Sequence, residues 1–190
     1  MPDKTNPIVK KFDTIIFDMD GVLVDVSQSY RLAIKKTVEF FLGKIIDKNQ
    51  IELLKLSGGY NDDYDCTSAI LNNNGKIVPR EIIIKKFQEY YLGRGFKGLM
   101  NNESWLLDKK IIANLDKKYK LAIFTGRPKT EANYALRNST TSNFFGVVVT
   151  ADEVMNKKPS PDGLYIVLEK LKSKSAVYVG DSIDDLNSAK

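Results

Sequence analysis

Apolar residues along this chain follow two rhythms, and the switch between them predicts the architecture. Thr14-Ile15-Ile16-Phe17 is a short run of β-branched and aromatic residues that stops at Asp18, the pattern of a buried strand. Beyond it Tyr30, Ile34, Val38, Phe41 and Leu42 recur at helical spacing, which predicts a helix from about Ser27 to Leu42, closed by Gly43. A second helix, from about Asp47 to Leu56, runs into Ser57-Gly58-Gly59. A third follows Asn61 and ends in the turn signal Asn72-Asn73-Asn74-Gly75. Pro79 opens a fourth, with Ile83, Phe87, Tyr90 and Tyr91 on one face; proline suits a first helical position. Residues 26–98 therefore read as all-helical.

From there strands and helices alternate. Leu107, Ile111 and Leu115 predict a helix, followed by the strand Lys120-Leu121-Ala122-Ile123-Phe124, which stops at Thr125. Another helix follows Pro128, then the strand Phe145-Gly146-Val147-Val148-Val149. Ser160-Pro161 reads as an N-cap serine with proline at the first helical position, opening a helix whose stripe is Leu164, Val167, Leu168 and Leu171. The strand Ala176-Val177-Tyr178-Val179 ends at Gly180-Asp181, and a last helix begins near Ile183. Strands alternating with helices imply right-handed crossovers. The expected fold class is thus α/β: a Rossmann-like parallel sheet with helices on both faces, carrying an all-helical insertion after the first strand.

Composition narrows the functional classes. With 43% hydrophobic and 28% charged residues in 190, the chain is that of a soluble globular protein, and no apolar run reaches the roughly eighteen residues needed to cross a membrane. Cys66 is the only cysteine, and the first residues are polar, which points to a reducing cytoplasm. Histidine is absent, so proton and metal work falls to carboxylates. The net charge of +5 comes from scattered pairs such as Lys35-Lys36, Lys85-Lys86 and Lys117-Lys118. That is not the clustered footprint of a nucleic-acid binder and suits a field for small anions. A monomer is the default expectation.

Three strands end in polar residues: Asp18 with Asp20, Thr125, and Asp181 followed by Asp185. Ligands of open parallel sheets bind beyond the carboxyl ends of the strands, where such residues can converge. Lys157-Lys158-Pro159-Ser160-Pro161 adds a lysine just before a helix. Each residue alone has a plainer use. Thr125 could cap the next helix, Lys158 could be solvated, and Asp181 and Asp185 could be first-turn acids favoured by a helix dipole. Their joint order and spacing are not explained that way.

Phe17-Asp18-Met19-Asp20-Gly21-Val22-Leu23, Phe124-Thr125-Gly126-Arg127, Lys158-Pro159-Ser160-Pro161 and Gly180-Asp181-Ser182-Ile183-Asp184-Asp185 resemble the four motifs of the haloacid-dehalogenase-like hydrolase superfamily, in order. The helical insertion resembles that of its phosphoglycolate-phosphatase-like branch. The resemblance covers nearly the whole chain, and members usually continue through at least one more strand. It implies a catalytic core of residues 1–25 and 99–190 and a helical cap of residues 26–98.

The same resemblance implies a Mg²⁺-dependent phosphatase acting on a small phosphorylated metabolite. Asp18 would be the nucleophile, forming an aspartyl-phosphate, and Asp20 the acid and base. Mg²⁺ would be held by the Asp18 carboxylate, the Asp20 main-chain carbonyl and Asp181, an all-oxygen set, with Asp185 as a further ligand or a support behind the ligands and Asp184 able to share that work. Lys158 would balance Asp18 and the transferring phosphoryl group, while Thr125 and the Gly126 amide would hydrogen-bond its oxygens. Asp20 argues against dehalogenation, since a leaving halide needs no proton. A phosphomutase of the β-phosphoglucomutase type would carry the same motifs, and a non-catalytic binding relative is the other alternative. Arg127 either contacts a phosphate or second anion or pairs with a cap carboxylate. Asn61, in Gly58-Gly59-Tyr60-Asn61-Asp62-Asp63, either faces substrate from the cap or belongs to a flexible connection.

Overall fold

The structure, a computed structural model, describes residues 12–60 and 62–190. The first strand, β1 (Thr14–Phe17), is followed by the two-residue β2 (Val24–Asp25). Four helices come next: α1 (Tyr30–Leu42), α2 (Asn49–Ser57), α3 (Asp63–Asn73) and α4 (Arg80–Tyr91). After a single 3₁₀ turn the chain forms β3 (Ser104–Trp105), α5 (Lys109–Asp116), β4 (Lys120–Phe124), α6 (Lys129–Asn138) and β5 (Phe145–Val149). It then forms α7 (Asp162–Leu171), β6 (Ala176–Val179) and α8 (Ile183–Ser188). Four strands pair in the order β5-β4-β1-β6, all parallel, as the alternating pattern requires.

Side chains leave a strand on alternate faces, and this sheet uses both. Ile15 and Phe17 of β1, with Leu121 and Ile123 of β4, join a core that includes Ile112 of α5 and Ala132 and Leu136 of α6. Ile16, Ala122 and Phe124 face the other way, onto Leu164 and Val167 of α7. Gly163 lies so close to the Phe124 ring that a Cβ there would overlap it, which seats α7 against the sheet.

The larger core continues into the helical segment through Ile34, Val38, Ile70, Leu71, Ile83 and Phe87. Tyr30 stacks on Tyr91 with ring centroids 4.2 Å apart. Burying a side chain such as Phe87 stabilises by roughly 1.5–3 kcal/mol, so this apolar seam fixes the helices over the sheet. Asp62 caps α3 by accepting from the amides of Tyr64 and Asp65, a contribution of about 1 kcal/mol. Gly43 ends α1 at φ 66°, the left-handed conformation glycine adopts without steric cost.

Several expectations shift. The first helix starts at Tyr30 rather than Ser27, because the Asp25 carboxylate takes the Ser27 amide into a turn. α5 buries Ile112 and leaves Ile111 half exposed, rotating its inner face by one residue. In α4, Ile83, Phe87 and Tyr91 are buried, while Tyr90 is only partly so. Pro161, not Ser160, is the N-cap of α7; the Ser160 hydroxyl turns instead to the Asp162 carboxylate. β2 and β3, antiparallel partners through Val24–Trp105 and Asp25–Ser104, have no counterpart in the sequence pattern. Asn61 lies outside the described residues.

Candidate active site

The register of the sheet sets the site. Phe17 stands level with Ile123 and Val179, so the next residues of three parallel strands emerge at one rim: Asp18, Thr125 and Gly180-Asp181. The Asp18 amide continues the ladder onto the Val179 carbonyl at 2.8 Å. From the loop before α7, Lys158 reaches the same place and donates to Asp18 Oδ1 and Asp185 Oδ1, both at 2.7 Å. Lys158 is only 7% exposed, so its ammonium spans two buried carboxylates rather than meeting solvent.

Asp185 is fixed on every side. It forms a reciprocal capping box with Ser182 at the start of α8 and accepts from the Tyr178 hydroxyl at 2.7 Å. A side chain at Gly180 would overlap Asp185, so glycine there permits the close approach. Burial opposes the Asp185 charge, but Lys158, Ser182 and Tyr178 outweigh it and hold the carboxyl below its ordinary pKa. Asp18 has the same ammonium but not those neutral donors. Burial dominates there, Asp185 and Asp20 add repulsion, and its pKa is pushed up to about 7. Lys158, despite burial, is held charged by Asp18 and Asp185.

Carboxylate oxygens of Asp18, Asp181 and Asp185 lie within 4.8 Å of one another. Three carboxylates here face one ammonium, an excess of negative charge that a divalent cation would neutralise, and the all-oxygen donor set suits Mg²⁺. Burial and the Asp185 charge raise the Asp181 pKa, the same signature of uncompensated charge. The backbone accommodates the cluster. Gly21 has φ +72°, and any Cβ there would overlap the Asp181 carboxylate.

Asp20 faces the same rim with its side chain one-third exposed. Its Oδ1 accepts from Arg127 Nε at 2.6 Å, and Arg127 Nη1 donates to Glu103 Oε2 at 2.9 Å. Arg127 is enclosed, and its guanidinium lies over the Tyr30 ring at 5.0 Å. Burial works against its charge, but Asp20, Tyr30, Tyr91 and Glu103 more than offset that and hold its pKa above the usual arginine value. Its Nη2 is buried without a partner. Thr125 is fully buried, and its Oγ1 accepts from the Arg127 amide at 3.2 Å, so the hydroxyl shapes the turn leading to α6. Gly126 sits beside it on the wall of a small hollow of about 100 Å³ shared with Asp18, Asp20 and Arg127.

A larger cavity of about 420 Å³ opens on Asp18, Asp20 and Asp181 from the sheet side and on Tyr30, Arg31, Lys55 and Asp63 from the helices, a size suited to a small molecule. The wall opposite the carboxylates holds Arg31, 3.3 Å from Glu52, and Lys55, paired with Asp63. The Gly58-Gly59 loop closes onto α8: the Gly59 amide donates to Asp184 Oδ1 at 3.1 Å, and Gly58 abuts Ile183. Reasoning from sequence did not find Tyr178, Glu103 or Glu131, which lines the small hollow and accepts from the Tyr30 hydroxyl. Only Tyr178 carried a signal, a phenol inside an apolar strand whose buried hydroxyl needs a partner.

Comparison with known proteins agrees with this geometry. The family model for haloacid dehalogenase-like hydrolases matches residues 15–190, and the chain belongs to that family of enzymes. Over 181 residues it is 31% identical to an imidazoleglycerol-phosphate dehydratase from Phytophthora nicotianae, covering 90% of this chain but 40% of that protein. It is 24% identical to pyrophosphatase PpaX from Bacillus pumilus, covering 93% of this chain and 77% of that one. Phosphatase Tt82 from Thermococcus thioreducens superposes with a TM-score of 0.72 at 27% identity, over 92% of this chain and 85% of that one.

Proposed function

We propose that this hydrolase is a Mg²⁺-dependent phosphatase that removes phosphate from a small metabolite through an aspartyl-phosphate at Asp18, in a reducing cytoplasm. The observation that carries the reading is the meeting of Asp18 with Lys158, Asp181 and Asp185 beside a cavity that Asp18, Asp20 and Asp181 line. Asp18, Asp181 and Asp185, with the Asp20 main-chain carbonyl, would hold the cation. When bound, it would neutralise negative charge on the phosphoryl oxygens and on the attacking carboxylate.

In this reading the Asp18 carboxylate attacks phosphorus as the bond to the leaving oxygen breaks. Asp20 gives that oxygen a proton, then takes one from the water that attacks the phosphoenzyme. Lys158, already touching Asp18, balances charge passing from carboxylate to phosphoryl group without reorganising. The Gly126 amide binds phosphoryl oxygens, and the buried Thr125 hydroxyl holds the turn that presents it. The four helices of residues 26–98 serve as a cap that closes over substrate and excludes water.

The test is the Asp18→Asn enzyme. It should retain its fold and lose Mg²⁺-dependent phosphate release from p-nitrophenyl phosphate. Turnover within tenfold of wild type would remove Asp18 from the mechanism.

A further inference from the structure

Arg127 follows Thr125 and Gly126 in the second motif, yet its side chain has no exposed surface. It borders the smaller hollow only as part of its wall, with the guanidinium enclosed. Its contacts run to one site residue and a frame around it. Nε donates to Asp20 Oδ1, Nη1 donates to Glu103 Oε2, and the guanidinium plane is covered by Tyr30. Glu103 is itself held, its other oxygen accepting from Ser29 Oγ at 2.9 Å and the Tyr91 hydroxyl at 3.1 Å. Tyr30 donates to the Glu131 carboxylate of α6. Asp20 is the one carboxylate of this group that lines both hollows of the site, with Tyr30 beside it.

We propose that Arg127 is the positioning residue for Asp20 and fixes which of its oxygens carries the proton. The inference rests on the reading of Asp20 as acid and base. A guanidinium has donors and no acceptor, so the oxygen facing Nε must accept whether Asp20 is ionised or neutral. Oδ1 is therefore committed, and the transferable proton resides on Oδ2. As an Asp18 oxygen bonds to phosphorus, the bond from phosphorus to the leaving oxygen breaks, and that oxygen takes the proton from Oδ2. The carboxylate left behind is already paired with Arg127. In the second half, Oδ2 takes a proton from water as the water oxygen bonds to phosphorus and the bond to Asp18 breaks, which releases phosphate. Arg127 holds Asp20 in the geometry both transfers need, and Glu103 and Tyr30 hold Arg127.

Leaving-group dependence separates positioning from scaffolding. p-Nitrophenolate leaves without help, whereas phenolate is a much stronger base and needs the proton. Values of kcat/KM should be compared for p-nitrophenyl phosphate and phenyl phosphate in wild type, Asp20→Asn, Arg127→Lys and Arg127→Gln. Asp20→Asn should lose far more with phenyl phosphate. Arg127→Lys and Arg127→Gln should show the same bias, at least about tenfold, part of the 10²- to 10⁴-fold that a placed acid supplies. If Arg127→Gln does not fold, Arg127→Lys and Glu103→Gln carry the comparison: the first keeps the positive charge but loses the planar fork of donors, and the second weakens one contact of the guanidinium at nearly constant volume. Equal losses for both substrates in the Arg127 variants, beside a biased Asp20→Asn, would overturn the positioning role and leave the reaction standing. An unbiased Asp20→Asn would instead refute the acid itself.

Discussion

Lys158→Met removes the single ammonium that Asp18 and Asp185 share while keeping most of the side-chain volume. Both carboxylates are buried, and each receives a 2.7 Å hydrogen bond from Nζ. Breaking a buried ion pair on one side costs about 3–5 kcal/mol, since the remaining charge loses its partner without regaining water. Asp185 keeps Ser182 and Tyr178, so most of the loss falls on Asp18 and the lower end of that range is expected. Domain stabilities run at about 5–15 kcal/mol, so the variant should still fold. Urea unfolding in EDTA measures the loss. Adding Mg²⁺ should then stabilise the variant more than wild type, because removing a neighbouring positive charge strengthens cation binding. A cation at a hundred times its dissociation constant adds about 2.7 kcal/mol. A loss under about 1 kcal/mol in EDTA, or a Mg²⁺ shift no larger than that of wild type, would refute the charge balance described for this cluster.

Gly21→Ala places a methyl group on the Asp181 carboxylate and forces a left-handed residue, at roughly 1–2 kcal/mol. Phosphate release should require at least about tenfold more Mg²⁺ for half-saturation, as for other displaced metal-site contacts; an unchanged Mg²⁺ titration would contradict this. Glu131 tests pH linkage away from the metal cluster. Burial, the largest influence, raises its pKa above 4.5, with Tyr30 and Gln88 opposing. The native state therefore keeps a proton that the unfolded chain gives up, and stability falls as pH rises from about 4.5 through the native pKa. Glu131→Gln should gain thermal stability relative to wild type as pH goes from 4.5 to 8, and a pH-independent difference in melting temperature would count against it.

Much of the site was legible because its residues sit where apolar runs stop. β1 and β4 end just before Asp18 and Thr125, so the candidate site begins one residue past each strand. The joint order of four motifs led to Lys158 and Asp185, which only meet through the fold. Other features left no periodic trace. A two-residue strand such as β2 or β3 has no alternation to read, and an eight-residue helix does not distinguish Ile111 from Ile112 as its inner position. Glu103 looks like an ordinary loop acid until Arg127 arrives from 24 residues away. Local turn chemistry also displaced expected caps, as at Ser160, where the adjacent acid competes for the hydroxyl.

The pairing of β2 with β3 ties together the two points where the chain leaves the sheet and rejoins it. Helices strung between such points behave as a loop on a closed stem, so their length and identity can change while the spacing of the stem stays constant. Variation in that loop would alter which molecules fit above the carboxylates, and the sheet beneath would carry the same chemistry into each new pocket.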